Sequence, residues 1–465
     1  MRVEAWLSRA ANARPEGVAL DTPAGICTYA ELLAAADADA GVLAARGVGR
    51  GDRVAIALPA GLDFARALHA CLLLGAVAMP LDLRLSAPER VAIADAAVAV
   101  VDAPLGPARE RDAAGVGERW HELDATAVVI HTSGTSAAPK PVELTYGNLL
   151  WSALGSAVAL GLDADERWLC ALPLSHVGGL SIIVRSAIYA TTAVVHERFE
   201  TDRALHALRE QRVTLVSLVA TTLARLLDAG LQSPPALRCA LTGGGPVPAA
   251  LVRRAQRAGV PVSMTYGLTE SCSQATTTPV AALAEGDLGA GPPLFCTRAR
   301  CAQDGEILLA GPTIAPGAVA GDGWLHTGDL GAIDRRGRLS VTGRKADTIV
   351  SGGENVAPSE VEAVLESHPG VLEAAVVGVP DERWGEAVTA IVVARAGRAV
   401  DEQALRVHCA AALAPFKVPK RVVLREWTLP RTRSGKLLRR ELRLGAHGTP
   451  GASDADVHGG PGGGR

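Results

Sequence analysis

The sequence has no C-x-x-C pair, no G-x-x-x-x-G-K string, no fixed-period repeat and no apolar run long enough to cross a bilayer. Each absence removes a class of protein. Eight scattered cysteines (27, 71, 170, 239, 272, 296, 301 and 409) without close pairs argue against a zinc site or a dithiol redox motif, and they read as buried free thiols. The longest apolar stretch, around 70–81, is too short for a membrane span and contains Pro80. The opening segment MRVEAWLSRAANARPEG interrupts its apolar residues with charge, unlike a secretory signal. Charge of one sign is also missing: 46 Lys and Arg stand against 49 Asp and Glu, a net of −3, without the basic excess of a general nucleic-acid or acidic-membrane binder. A soluble cytoplasmic protein is therefore expected. Aromatics are scarce (7 Trp, 4 Tyr, 4 Phe), so the core must be built from Ala, Val and Leu. At 48% hydrophobic residues over 465 positions, the chain can bury several domains' worth of core.

Strand-like apolar runs (53–58, 125–131, 215–219, 374–379) alternate with Ala-, Leu- and Arg-rich helical stretches (29–45, 204–211, 249–258). This pattern predicts an α/β fold with substantial parallel sheet. A Gly-, Asp- and Arg-dense segment over 323–360 separates that region from a second, smaller β/α pattern. The reading is a large domain over 1–343, a hinge at 344–346, a small α+β domain over 347–446 and a disordered Gly-rich tail over 447–465.

Four motifs can carry chemistry. In VVIHTSGTSAAPKPVEL a strand runs into Thr132, Ser133, Gly134, Thr135 and Ser136, with Lys140 following. Small hydroxylated residues let backbone N–H groups reach phosphate oxygens, and the ammonium adds charge; an ordinary Ser/Thr-rich turn is the alternative. In LTGGGPVP and MTYGLTES, Gly243, Gly244 and Gly245 before Pro246 allow a flat ring to lie on the backbone. There Tyr266 offers a stacking face, Thr269 a hydroxyl and Glu270 a hard oxygen ligand for Mg²⁺. In GWLHTGDLG, Asp329 is placed to take two ribose hydroxyls, with Arg344 of GRKAD as a second contact; a solvated Asp in a hairpin is the alternative. In LPRTRSGKLLRREL, Lys436 projects from a Gly-containing turn, where an ammonium can neutralise charge developing on a phosphate.

Taken in order, these motifs resemble the adenylate-forming superfamily of acyl-CoA synthetases, adenylation domains and luciferases. The run PLSHVGGLSIIVRSAIY with LTGGGPVP and TYGLTESCSQATT is most similar to the branch that makes the CoA thioester of o-succinylbenzoate in menaquinone synthesis. The resemblance implies a large N-terminal adenylate-forming domain with mixed sheets and a small mobile C-terminal domain. It implies ATP, Mg²⁺ and coenzyme A, a small carboxylate substrate, no nucleic acid and no membrane insertion, and it leaves homo-oligomerisation open. By motif position, Thr132–Lys140 would hold pyrophosphate, Gly243–Pro246 and Tyr266 would flank adenine, and Thr269 would touch the α-phosphate. Glu270 would bind Mg²⁺, Asp329 and Arg344 the ribose, and Lys436 would bridge carboxylate and α-phosphate. His176 would lie beside the acyl site, and Gly352 and Gly353 would reach the pantetheine channel after the small domain rotates.

A substrate with two carboxylates leaves one as a spectator that needs a cation or strong donors. Arg185, inside the apolar run LSIIVRSAIY, is the candidate, with Ser273 and Gln274 as further polar groups; a surface Arg on an amphipathic helix is the alternative. The chain departs from the superfamily pattern at Ala137, Ala138 and Pro141, which predicts a stiffer, less cationic phosphate loop. At Ala346 no hinge side chain is expected. A CoA ligase for another aryl or fatty acid is the competing function. A degenerate nucleotide-binding protein is a second, disfavoured by Glu270, Asp329 and Lys436.

Overall fold

A computed structural model describes residues 1–106, 119–132, 140–285, 289–431 and 437–446. The tail expected over 447–465 lies outside the described residues. The chain divides into two compact units, Met1–Val341 and Thr342–Arg465.

In the large unit, the Val/Ile/Leu-rich runs pair as two sheets. The first has five strands in the order Ala99–Val101, Arg53–Ile56, Val77–Pro80, Thr126–Thr132 and Lys140–Thr145; the first four are parallel and the last antiparallel. The second has eight strands. Six parallel strands, ordered Val262–Tyr266, Cys239–Thr242, Leu215–Leu218, Arg167–Cys170, Thr192–Val195 and Val18–Thr22, are closed at either edge by antiparallel Thr276–Thr277 and Gly25–Thr28. The expected α/β architecture with parallel sheet is what forms. Strands buried on both faces read as near-continuous apolar runs, and Leu215–Leu218, Thr192–Val195 and Cys239–Thr242 are buried at every position, with only Ser217, Thr192 and Thr242 polar.

One apolar cluster joins the facing sides of both sheets through helices Trp6–Ala13, Tyr29–Ala45, Leu62–Leu74, Tyr146–Leu160 and Val177–Tyr189. Its bulk is Ala, Leu and Val, with Trp6, Tyr29, Phe64, Tyr146 and Trp168 as aromatic anchors. Each buried Leu or Val contributes about 1.5–3 kcal/mol, so number compensates for the shortage of large rings. Helix Tyr29–Ala45 starts where its sequence says it should. Thr28 accepts from the Glu31 N–H and the Glu31 carboxylate takes the Thr28 N–H, a reciprocal cap. Helices Thr201–Glu210, Ala220–Asp228 and Ala249–Arg257 cover the other face of the eight-stranded sheet. A four-stranded antiparallel sheet, Arg298–Cys301, Glu306–Ala310, Leu325–Ile333 and Leu339–Arg344, follows.

The small unit is built on the long antiparallel pair Val371–Asp381 and Gly385–Ala394. Arg421–Arg425 lies parallel to the latter, and a short hairpin, Ile349–Ser351 with Glu354–Val356, joins the sheet. Helices Pro358–Ser367 and Glu402–Ala412 bury Val361, Leu365, Leu405 and Cys409 against it.

Candidate active site

Parallel strands deliver their C-terminal ends to one edge, where ligands of open α/β sheets bind. Strands Cys239–Thr242 and Val262–Tyr266 are neighbours, with Thr242 opposite Met264, so the Gly243–Pro246 and Tyr266–Ser273 loops leave the sheet side by side. Gly243 packs against the end of the neighbouring strand. A side chain at Gly243 would place its Cβ 2.6 Å from Thr265 Cγ2 and 2.7 Å from the Thr265 carbonyl oxygen, so only glycine permits this approach.

Tyr266 donates its hydroxyl to Asp329 Oδ2 at 2.8 Å, across 63 residues of chain. Asp329 is not a solvated hairpin residue. It sits inside strand Leu325–Ile333 at 5% exposure, and its N–H is held by Thr327 Oγ1 at 3.1 Å. The Tyr266 side chain and a fixed carboxylate thus lie together.

Beyond Tyr266 the chain closes on itself. Thr269–Ser271 form a single 3₁₀ turn, Ser271 Oγ accepts from the Leu268 N–H at 2.9 Å, and the Ala315 N–H caps the Glu270 carbonyl at 2.8 Å. Cys272 and Ser273 then take positive φ of 54° and 86°, and a Cβ at Gly267 would lie 1.6 Å from the Ser273 carbonyl oxygen. Non-glycine residues adopt such backbone only where surrounding contacts impose it, at a cost of about 1–3 kcal/mol each. The loop presents the Thr269 hydroxyl and the Glu270 carboxylate, which has no ion pair among the described residues. One free carboxylate beside a hydroxyl suits Mg²⁺, which keeps several waters and binds chiefly through substrate phosphates. No group of three or more His, Cys, Asp and Glu that could hold a metal ion occurs among the described residues.

Arg185 is buried, not on the surface. It lies on helix Val177–Tyr189 at 2% exposure, its guanidinium over the Trp168 ring at 5.6 Å. Nη2 donates to Ser152 Oγ at 2.9 Å, Nε has no partner, and no carboxylate pairs with it among the described residues. Burial pulls its pKa below the ordinary value, while the Tyr189, Cys272 and Cys296 groups act the other way. Gln274, also buried, donates Nε2 to Thr277 Oγ1 at 2.8 Å and leaves Oε1 unpartnered; Ser273 is half-buried.

His176 caps the same helix by position only, because its imidazole does not bond the helix backbone. Its Nε2 lies 2.8 Å from Nη2 of Arg84, whose Nε and Nη2 fork onto Asp82 at 2.8 and 2.7 Å. The Arg donates, so Nε2 accepts. Sequence reading missed Asp82 and Arg84; the only signal was an Asp-x-Arg immediately after strand Val77–Pro80.

Thr132 and Lys140 face each other across the strand pair that brackets the phosphate loop, with Thr132 Oγ1 donating to the Lys140 carbonyl at 3.3 Å. Ser133, Gly134, Thr135, Ser136, Ala137 and Ala138 lie outside the described residues. Pro141 occupies the edge strand of its sheet, where a missing N–H is tolerated.

In the small unit, Arg344 ends strand Leu339–Arg344 and Ala346 is exposed in the turn Lys345–Asp347. Gly352 and Gly353 form the tip of the hairpin at φ 63° and 85°, and the Gly352 N–H donates to the Trp384 carbonyl at 2.7 Å. Lys436 lies outside the described residues.

The sequence profile of the AMP-binding enzyme family matches residues 7–102 and 94–318, and that of the AMP-binding enzyme C-terminal domain matches 360–436. The chain belongs to the AMP-binding enzyme family. It is therefore an enzyme of the adenylate-forming class, and the expected large and small domains are those of the family. Among its curated relatives, the 2-succinylbenzoate–CoA ligase of Bacillus subtilis (strain 168) is 38% identical over 94% of this chain and 97% of its own length. That of Geobacillus kaustophilus (strain HTA426) is 39% identical, with coverage of 94% and 97%. Among solved structures, the B. subtilis o-succinylbenzoate CoA synthetase bound to its acyl-adenylate intermediate superposes with a TM-score of 0.87. It shares 37% identity, over 95% of this chain and 98% of that one. The same enzyme with ATP and magnesium ion gives 0.86 at 37% identity, covering 95% of this chain and 100% of that one. No helix among the described residues of this AMP-binding enzyme is long and apolar enough to cross a membrane.

Proposed function

We propose that this enzyme activates 2-succinylbenzoate with Mg·ATP and transfers the acyl group to coenzyme A, the reaction that the resemblance places in menaquinone synthesis. In the first half-reaction the succinyl carboxylate oxygen attacks the α-phosphorus of ATP. The bond to the β,γ-unit breaks, pyrophosphate leaves, and an acyl-adenylate forms. In the second, the CoA sulfur attacks the acyl carbonyl, the bond to the AMP oxygen breaks, and the thiol proton passes to solvent. No side chain acts as a covalent nucleophile, so the protein's task is placement and charge stabilisation.

In this reading Tyr266 and Gly243–Pro246 hold adenine. Asp329, steadied by the Tyr266 hydroxyl, takes the ribose with Arg344. Thr269 meets the α-phosphate, and Glu270 holds Mg²⁺, which screens the phosphate charge. Thr132, Ser133–Ser136 and Lys140 cradle the departing pyrophosphate, and Lys436 neutralises the developing charge at the α-phosphate. His176, its Nε2 engaged by Arg84, bounds the acyl side. Gly352 and Gly353 serve the pantetheine arm, and the eight free cysteines suit a cytoplasmic setting.

The observation that carries the substrate assignment is Arg185. A buried guanidinium without a carboxylate among the described residues is costly unless a ligand supplies the anion, and a ring carboxylate does so. Ser273 and Gln274, whose Oε1 has no partner, are the further polar groups this reading assigns to the substrate.

The test is pyrophosphate release and thioester formation with 2-succinylbenzoate, benzoate and a medium-chain fatty acid, on the wild type and Lys436→Ala. Turnover selective for the diacid, with adenylation lost in the variant, supports the reading. Preference for either monoacid transfers the enzyme to another acyl-CoA ligase activity.

A further inference from the structure

Arg185 is held in place by a neutral group. Ser152, on helix Tyr146–Leu160, is buried at 1% exposure. Its hydroxyl accepts from Arg185 Nη2 at 2.9 Å and donates to the Cys272 carbonyl at 2.6 Å. A hydroxyl has one proton, and here the carbonyl takes it, so the remaining lone pairs face the guanidinium. The carbonyl is itself fixed, because Cys272 sits at φ 54° in the loop closed by the Gly267–Ser273 approach.

We propose that Ser152 is a positioning residue for substrate selection. It anchors the Arg185 guanidinium to the rigid Cys272 carbonyl while leaving the positive charge uncompensated for the spectator carboxylate. The chemistry explains the residue type. A carboxylate at 152 would neutralise Arg185 and remove its use as an anion receptor. An aliphatic residue would strand both the buried Cys272 carbonyl and one guanidinium N–H. A small neutral hydroxyl meets both demands. The proposal rests on the reading that Arg185 receives the ring carboxylate.

The experiment compares 2-succinylbenzoate with 4-oxo-4-phenylbutanoate, which keeps the chain carboxylate and lacks the one on the ring. KM and kcat are measured for the diacid, and the inhibition constant for the monoacid as a competitor of adenylation. Ser152→Ala is expected to raise the diacid KM about tenfold, the effect of one hydrogen bond to a charged group, with a much smaller change in monoacid affinity. Ser152→Thr, which keeps the hydroxyl, restores most of the diacid preference. In Arg185→Gln the preference disappears, and adding Ser152→Ala takes away nothing more.

Equal losses on both acids in Ser152→Ala, or an unchanged diacid preference, overturn the proposal, since either means that Ser152 only satisfies the Cys272 carbonyl. An unchanged preference in Arg185→Gln overturns the underlying reading instead, so the two failures are distinguishable. Should Ser152→Ala fail to fold, Ser152→Cys, isosteric with a weak donor and acceptor, carries the same comparison.

Discussion

Arg66 and Arg185 both enter the interior of the large unit, and they are used in opposite ways. Arg66 meets Asp39 through two hydrogen bonds, Nε to Oδ2 at 3.0 Å and Nη2 to Oδ1 at 2.8 Å, and the Asp39 side chain is only 3% exposed. Burial raises the Asp39 pKa and the Arg66 charge opposes that rise; Arg66 Nη1 also lies 3.6 Å from the half-exposed Asp63, so this guanidinium is fully matched by carboxylates. Arg185 has a serine hydroxyl, a tryptophan face and thiols around it, and no carboxylate among the described residues. A buried charge with its partner belongs to the architecture. One without a partner is, in the proposed reading, kept for a ligand, and the difference predicts which variants unfold the protein and which disable it.

The largest effect is expected at Arg185. Arg185→Gln keeps a donor for Ser152 but removes the charge. It should lower kcat/KM for 2-succinylbenzoate by about 10²–10³-fold, the consequence of desolvating a carboxylate with no cation to receive it. Thermal stability should hold or rise, because an uncompensated buried charge has gone. Steady-state pyrophosphate release and a melting curve on the same preparation check both halves. A lowered melting point with unaltered kcat/KM would assign Arg185 to the architecture and erase the contrast with Arg66.

Arg66→Gln inverts the pattern. It leaves the Asp39 carboxylate buried without a cation, and the loss should be about 3 kcal/mol, the low end for a broken buried pair because the Arg66 side chain is 23% exposed. Urea denaturation measures it. The double variant Asp39→Asn/Arg66→Gln should recover a large part, since neither group then carries charge. Turnover of the folded fraction should be unaffected.

The same contrast marks what was legible in the sequence. Alternating apolar runs fixed the α/β class, and helix Tyr29–Ala45 matches its expected residues, its start set by the local cap that Thr28 and Glu31 supply. Other ends moved by a few residues: the helix expected over 204–211 is Thr201–Glu210, as Glu200 starts it without a side-chain cap. Gly243 and Tyr266 stood out because they lie in motifs recognisable from local pattern. Asp82, Arg84 and Ser152 did not. Arg84, with Asp82 forked onto it, meets His176 92 positions away and Ser152 meets Arg185 33 positions away, and an isolated Ser in a helix or an Asp-x-Arg turn carries no sign of that partner. Whether Arg185 was a surface or a buried residue was likewise decided by helix packing, since LSIIVRSAIY fits either face.

The smallest effect sharpens the comparison with a third way of treating a buried titratable group, which is to keep it neutral. His69, on helix Leu62–Leu74, and His121, on strand Trp120–Glu122, are both 3% exposed. His121 Nε2 accepts from the Trp6 N–H at 3.2 Å, and its ring stacks on Tyr146 at 4.4 Å. Burial lowers the His69 pKa to about 4; burial and then the neighbouring His69 lower that of His121 to about 3. Both folded values lie below the unfolded one near 6.5, so below that pH the unfolded chain binds the extra protons. The stability these histidines allow is complete above about pH 6.5 and declines as pH falls, by about 1.4 kcal/mol per pH unit for each, until the folded values are reached. Urea midpoints between pH 7 and pH 5, above most of the carboxylate titration, should therefore fall with pH. In His69→Leu, which cannot take up a proton, the decline should be shallower by about 1.4 kcal/mol per pH unit, and His131 and His196, whose pKa values burial also lowers, share the remainder with His121. A wild-type midpoint that is flat over this window would mean that water or a counter-charge reaches the two imidazoles in the folded state. They would then be grouped with the charge-compensated Arg66 and not with a core that excludes charge.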